Sequence, residues 1–270
     1  MDVRSFTVGM VAENCHFASP DGSSQAIVVD PGEEEDRLLA AIDELGLDVQ
    51  AILLTHTHFD HVGAVAPVAR ATGAPVYCPQ LEVPVLADIM SFVPWHGFGP
   101  YESYDADETV SGGEHLELAG FDIDVLFTPG HSPGHVTYSI PAERALFSGD
   151  VLFEGSIGRT DLPGGDAPTL FRSIATLVDG FPPETTVYPG HMGITTLGRP
   201  SLPTVLARYA VLTVTRSAAS NSLRRRAIDS TKERRSSRFI RRTASMLSAR
   251  PGSNTRSSIS YTTRMPMARA

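Results

Sequence analysis

The sequence predicts an α/β or α+β chain, and three observations predict it. Short, continuous apolar runs recur at residues 51–54, 125–127 and 145–147, as they do in buried strands. Longer stretches with helical periodicity lie among them, at residues 33–45, 62–72 and 167–178. Several of the apolar runs stop at a turn that presents a histidine or an aspartate, and in layered α/β folds the carboxyl ends of strands are where ligands bind.

Taken in order, residues 6–11 and 25–29 read as strands of an N-terminal sheet, joined through the turn chemistry of Ser19-Pro20-Asp21-Gly22. Asp30-Pro31-Gly32 ends the second strand. The helix over 33–45 places Leu38, Leu39, Ile42 and Leu45 on one face. Its acidic start suits the positive end of the helix dipole, and Gly46 terminates it. Residues 51–54 form a buried strand, 62–72 an Ala- and Val-rich helix, and 75–78 a short strand. Residues 80–107 have no clear pattern; Pro94, Trp95, His96, Gly97, Phe98, Gly99 and Pro100 read as an ordinary surface loop in preference to a pocket wall. Residues 121–127 alternate apolar and acidic side chains, as a half-buried strand does. Strands follow at 136–140 and 145–147, then the helix at 167–178 and a last strand at 185–188.

The formal net charge of −9 hides a division within the 270 residues. Residues 1–200 hold 29 acidic and 7 basic side chains, and residues 201–270 hold 2 acidic and 15 basic ones. An acidic body repels a phosphate backbone, so nucleic acid is not expected as its partner. Cys15 and Cys78 form neither a disulfide framework nor a C-x-x-C metal pair and read as small buried hydrophobes. The N-terminus lacks the pattern of a signal peptide, and no stretch approaches the roughly 20 apolar residues that cross a membrane. A soluble, cytoplasmic protein is expected.

Thr55-His56-Thr57-His58-Phe59-Asp60-His61 carries four metal-capable side chains within six residues. Leaving such groups buried and unpaired costs roughly 1–3 kcal/mol each, so packing alone does not account for them. Extended geometry puts His56 and His58 on one side, and Asp60 and His61 then face a second point. Thr128-Pro129-Gly130-His131, Ser148-Gly149-Asp150 and Tyr188-Pro189-Gly190-His191 each follow an apolar run and add one candidate ligand.

The series T-H-x-H-x-D-H, G-H-S-P-G-H, S-G-D and P-G-H, in this order, resembles the metallo-β-lactamase superfamily over about residues 3–199. Gly155-Ser156-Ile157-Gly158-Arg159-Thr160-Asp161 is similar to the hydroxyacylglutathione hydrolase (glyoxalase II)-like branch. The resemblance implies an α+β fold, a four-layer αββα sandwich. It implies a catalytic domain over residues 1–199, followed by the Arg/Ser-rich residues 200–270. It implies one metal position at His56, His58 and His131, a second at Asp60, His61 and His191, and Asp150 bridging both. Two divalent ions would fit, Zn²⁺ foremost, with Fe or Mn as alternatives.

The implied activity is hydrolysis of a small-molecule thioester, a hydroxyacyl thiol, by a hydroxide held between the metals. Asp60 would also orient the nucleophile. The alternative within the same superfamily is a persulfide dioxygenase with a single iron. Asp30 is either a support beneath the metal site or a turn residue, and His135 is either a support or structural. Arg159 has two readings, a substrate carboxylate or a salt bridge to Asp161. Ser132 and Thr55 are expected to shape loops. Residues 200–270 are expected to be poorly structured: a solvated extension, a tail for nucleic acid or anionic surfaces, or a frame-shifted, non-homologous extension read from a GC-rich gene.

Overall fold

Two six-stranded sheets organise residues 1–93 and 95–198, the residues described by the computed structural model. Residues 200–270, and the domain boundary expected at 199, lie outside the described residues. The first sheet runs β1 (Asp2–Val8), β2 (Glu13–Ser19), β3 (Gln25–Val29), β4 (Asp48–Leu53), β5 (Val76–Pro79) and β6 (Glu108–Val110), with sequence neighbours adjacent. Its first three strands are antiparallel, and β3 through β6 are parallel. Parallel neighbours need crossovers. These are α1 (Glu35–Glu44), then the single turn α2 (Phe59–Val62) with α3 (Val65–Thr72), then the short α4 (Val83–Leu86) and α5 (Ile89–Phe92).

The second sheet starts as an antiparallel meander of β7 (His115–Leu118), β8 (Phe121–Phe127), β9 (Val136–Ile140) and β10 (Ala145–Gly149). A small hairpin follows, β11 (Leu152–Phe153) with β12 (Ser156–Ile157). The helix α6 (Ala167–Gly180) then returns the chain to β13 (Thr186–Pro189), parallel to β10, and β14 (Thr195–Thr196) pairs with β13.

Period-two alternation builds the layers. Val28 and Ile52 pack outward against Leu38, Val65 and Val68 of α1 and α3. Their neighbours Ile27, Val29, Ala51 and Leu53 face the other way and meet Ile123, Val125, Tyr138 and Phe147 of the second sheet. Leu146 and Val187 turn to the far side, onto Leu170, Ile174 and Leu177 of α6. Helix, sheet, sheet and helix are thus held by three apolar seams, each fully buried Leu, Ile or Val contributing roughly 1.5–3 kcal/mol.

The strand expected over 6–11 ends early. Gly9 and Ala12 take φ of 66° and 57°, which turns the chain, and the fully buried β2 starts at Glu13. The helix expected from residue 33 begins at Glu35, because Glu34 sits at φ 59°. The helix expected over 62–72 is interrupted by Gly63 and Ala64.

Candidate metal centre

The carboxyl ends of β3, β4, β10 and β13, with the turn after β8, converge on one edge of the sandwich, and each delivers a site residue. His56, His58 and His131 form one cluster, and Asp60, His61 and His191 form another, each with its ligand atoms within 4.8 Å of one another. Asp150 touches both. Its Oδ2 lies 3.3 Å from His131 Nε2 and 3.6 Å from His191 Nε2, and its Oδ1 lies 3.4 Å from His61 Nε2. All seven residues expected as ligands therefore meet at one place.

The hydrogen-bond network fixes which ring nitrogens face inward. His131 Nδ1 donates to the Arg159 carbonyl at 2.8 Å, and His191 Nδ1 to the Ala12 carbonyl at 3.1 Å. His61 Nδ1 donates to Asp30 Oδ2 at 3.1 Å. The Thr55 hydroxyl donates to Asp30 Oδ2 at 2.6 Å, so its oxygen accepts from His56 Nδ1 at 3.1 Å. In the neutral rings the Nε2 atoms of these four histidines then carry lone pairs toward the centre. His131 Nε2 lies 3.2 Å from His56 Nε2 and 2.8 Å from His58 Nδ1. At most one proton can serve those three nitrogens. His61 Nε2 and Asp150 Oδ1 are buried without a hydrogen-bond partner in the protein. Inward lone pairs and orphaned acceptors are the donor set of a cation site, and the residues fit divalent metal ions.

Electrostatics agree with this division. Burial, then the neighbouring imidazoles, hold His56 well below the usual histidine range, and burial with His131 pushes His58 down to about 3. Burial opposes charge on Asp150, but the His131 and His61 imidazoles outweigh it and hold the carboxyl below its ordinary value. Burial likewise opposes charge on His61, where Asp150 and Asp60 prevail and raise it. The carboxylates that would retain a proton there are equally able to retain a metal cation.

Asp30 supports two histidines and also accepts the Thr55 N–H at 2.7 Å. His135 is fully buried and stacks on the His56 ring at 5.0 Å, but it joins neither cluster. It accepts the Asp150 N–H on Nε2 at 3.1 Å and faces the Thr128 hydroxyl with Nδ1 at 3.1 Å. The Arg159 guanidinium is held by Asp161 in a two-pronged pair at 2.7 and 2.9 Å, and it lies 5.7 Å from the Trp95 ring. Trp95, Phe98 and Tyr101 pack on Phe59, between two site residues, with ring centroids at 6.0, 4.8 and 5.8 Å. The loop read as ordinary surface thus borders the site, because Phe59 offers it an apolar seat.

Sequence reasoning missed three supports. Asn14 Nδ2 donates to the carbonyls of Pro189 and Met192, at 3.1 and 2.9 Å, and so grips the turn bearing His191. Glu13 is fully buried, with Oε1 3.7 Å from His61 Nδ1; burial raises its pKa well above the carboxylate range. Glu82, 4% exposed, joins the two turns that carry His56, His58 and His131. An acid two residues before Cys15, or in an apolar Leu-Glu-Val-Pro run, was the available signal.

A family model described as Metallo-beta-lactamase superfamily matches residues 8–191. The chain belongs to the metallo-β-lactamase superfamily. Members of this superfamily bind metal, and the two His/Asp clusters lie within the matched residues. The "Probable metallo-hydrolase YqgX" of Bacillus subtilis is 40% identical over 196 residues, covering 71% of this chain and 90% of that relative. The "Hydroxyacylglutathione hydrolase GloC" of Haemophilus influenzae is 34% identical over 206 residues, covering 74% and 94%. The solved structure of TTHA1623 in a di-iron-bound form is 42% identical with a TM-score of 0.64, covering 72% of this chain and 95% of that one. Among the described residues, no helix is long and apolar enough to cross a membrane.

Proposed function

We propose that this superfamily member is a two-metal hydrolase of the glyoxalase II type, cleaving a hydroxyacyl ester of a small thiol. The observation that carries the reading is the position of Asp150, whose two carboxylate oxygens reach His131, His61 and His191 and so span both clusters. A single-metal site would leave one of those clusters without a use. The name of GloC supports the substrate class, and the di-iron form of TTHA1623 supports two ions. Zinc is the metal proposed for this chain, with iron or manganese as alternatives.

His56, His58 and His131 would hold one ion and Asp60, His61 and His191 the other, with Asp150 between. When bound, such a pair of ions supplies a water of lowered pKa and polarises a carbonyl oxygen. Asp60, whose Oδ2 lies 3.3 Å from His191 Nε2, would orient the attacking water. The water gives up a proton to solvent as its oxygen adds to the thioester carbon, the carbon–sulfur bond breaks with the electron pair going to sulfur, and the new carboxylic acid ionises to a carboxylate. A thiol has a pKa near 8.5, so it leaves as thiolate without a general acid. That suits a centre in which His135 and His131 already spend their second nitrogens on structure. Asp161 takes the Nε and Nη2 edge of the Arg159 guanidinium, so a substrate carboxylate would meet its Nη1 side. The acidic body weighs against nucleic acid as substrate.

The test is elemental analysis of the purified protein together with thiol release from S-D-lactoylglutathione. Two metal ions per chain and thiol release without oxygen are expected, and His58→Ala abolishes turnover. One iron per chain with oxygen uptake on a persulfide substrate would replace the reading by the dioxygenase alternative.

A further inference from the structure

We propose that Glu82 is a positioning residue that clamps the His56–His58 turn to the His131 turn, and thereby sets the geometry of the three-histidine cluster. This rests on the two-metal reading above. Glu82 lies immediately before α4, and its side chain makes no hydrogen bond to that helix start. It is spent elsewhere. Oε1 accepts the Ser132 hydroxyl and the Gly134 N–H, both at 2.7 Å, and Oε2 accepts the Thr57 hydroxyl at 2.9 Å. Thr57 stands between His56 and His58, and Ser132 follows His131. One carboxylate therefore takes its donors from the two turns whose histidines must meet.

Gly134 supplies an independent observation. A Cβ there would lie 2.6 Å from Glu82 Cγ and 2.8 Å from Oε1. The second glycine of G-H-S-P-G-H has no part in holding metal; its lack of a side chain lets this carboxylate approach. The same G-H-x-x-G-H stretch thus contributes a ligand, His131, and a landing place for the clamp. A buried carboxylate with three well-formed hydrogen bonds is rigid, and ring positions held through rigid neighbours set metal affinity. Asp30 buttresses His56 and His61 from behind, whereas Glu82 sets the spacing between turns.

The experiment compares Glu82→Ala and Glu82→Gln with the whole wild-type chain loaded with Co²⁺. Ion stoichiometry, cobalt absorption and release of each ion to a chelator are followed. Wild type is expected to bind two ions. Glu82→Ala is expected to keep its circular dichroism and to release one ion at least 10-fold faster. The absorption it loses should match that lost in His58→Ala and differ from that lost in His191→Ala. Glu82→Gln keeps an acceptor for Ser132 and Gly134 and should restore most of the retention. A role confined to stability would lower the melting temperature and leave the two release rates in their wild-type ratio, which overturns the proposal. If Glu82→Ala does not fold, Thr57→Val and Ser132→Ala carry the same comparison, and wild-type release in both overturns it. A wild-type chain that binds fewer than two ions would instead remove the two-metal reading, and the clamp with it.

Discussion

Asp30 Oδ2 accepts the Nδ1 proton of His61 at 3.1 Å. The same oxygen accepts the Thr55 hydroxyl, which passes the interaction on to His56. One carboxylate therefore orients a ring in each cluster. Its backbone sits at φ 50°, a conformation that a non-glycine residue adopts only when its surroundings demand it.

Replacing Asp30 by Asn tests that arrangement. The amide can keep one oxygen for the Thr55 N–H, but its NH2 group then faces two donors, His61 Nδ1–H and the Thr55 hydroxyl. The His61 ring must turn or change tautomer. Loss of such a support costs roughly 10–100-fold in metal affinity. Competition with a chelator at constant pH measures it, and wild-type affinity in Asp30→Asn would show that the rings hold their orientation without the carboxylate.

Gly190 offers a second, purely steric test. A Cβ at this position would lie 2.5 Å from both Asp150 Oδ1 and His61 Cε1. The bridging carboxylate and a ring of the second cluster would have to separate. Gly190→Ala is expected to fold, since Gly190 belongs to none of the three apolar seams, and to lose turnover by about 100-fold, the scale of a misplacement near 1 Å. Thiol-release kinetics beside a circular dichroism spectrum read the outcome. Unchanged turnover would mean that the centre tolerates a wider spacing.

The layers were legible where burial follows a local period. Ile27, Val28, Val29 and Ala51, Ile52, Leu53 alternate between two apolar seams, and short apolar runs announce them. The residues that meet in the two clusters were legible because Thr55 to His61 crowds polar groups beside a buried strand, and the turns before His131, Asp150 and His191 repeat that context. β2 was not, because Glu13, Asn14 and His16 break the apolar pattern of a fully buried strand. Asn14 and His16 bond to the carbonyls of Pro189 and Met192, distant in sequence, and Glu13 lies against His61. Glu82 was hidden for the same reason, its donors being on Thr57, Ser132 and Gly134. The choice between the two readings of Arg159 depended on Asp161 turning back to pair with it, which neighbouring residue types alone do not decide.

His16 turns this hidden strand into a pH prediction. The ring is buried, with Nδ1 accepting the Ser5 hydroxyl at 2.8 Å and Nε2–H donating to the Pro189 carbonyl at 3.1 Å. Burial drives its pKa down to about 4, and the hydrogen bond to Pro189 offsets this only in part. Between about pH 6.5 and 4 the unfolded chain therefore binds a proton that the folded chain refuses. Stability rises with pH wherever the unfolded state holds more protons, so this residue destabilises the fold as pH falls through that window. The loss by pH 5 is about 2 kcal/mol, at 1.36 kcal/mol per pH unit. His16→Gln keeps a donor for Pro189 and cannot titrate. Urea unfolding of both chelator-treated proteins should show the variant less stable at pH 7, with the gap narrowing by about 2 kcal/mol at pH 5. Parallel pH profiles would mean that His16 gains its proton as readily in the folded chain as in the unfolded one.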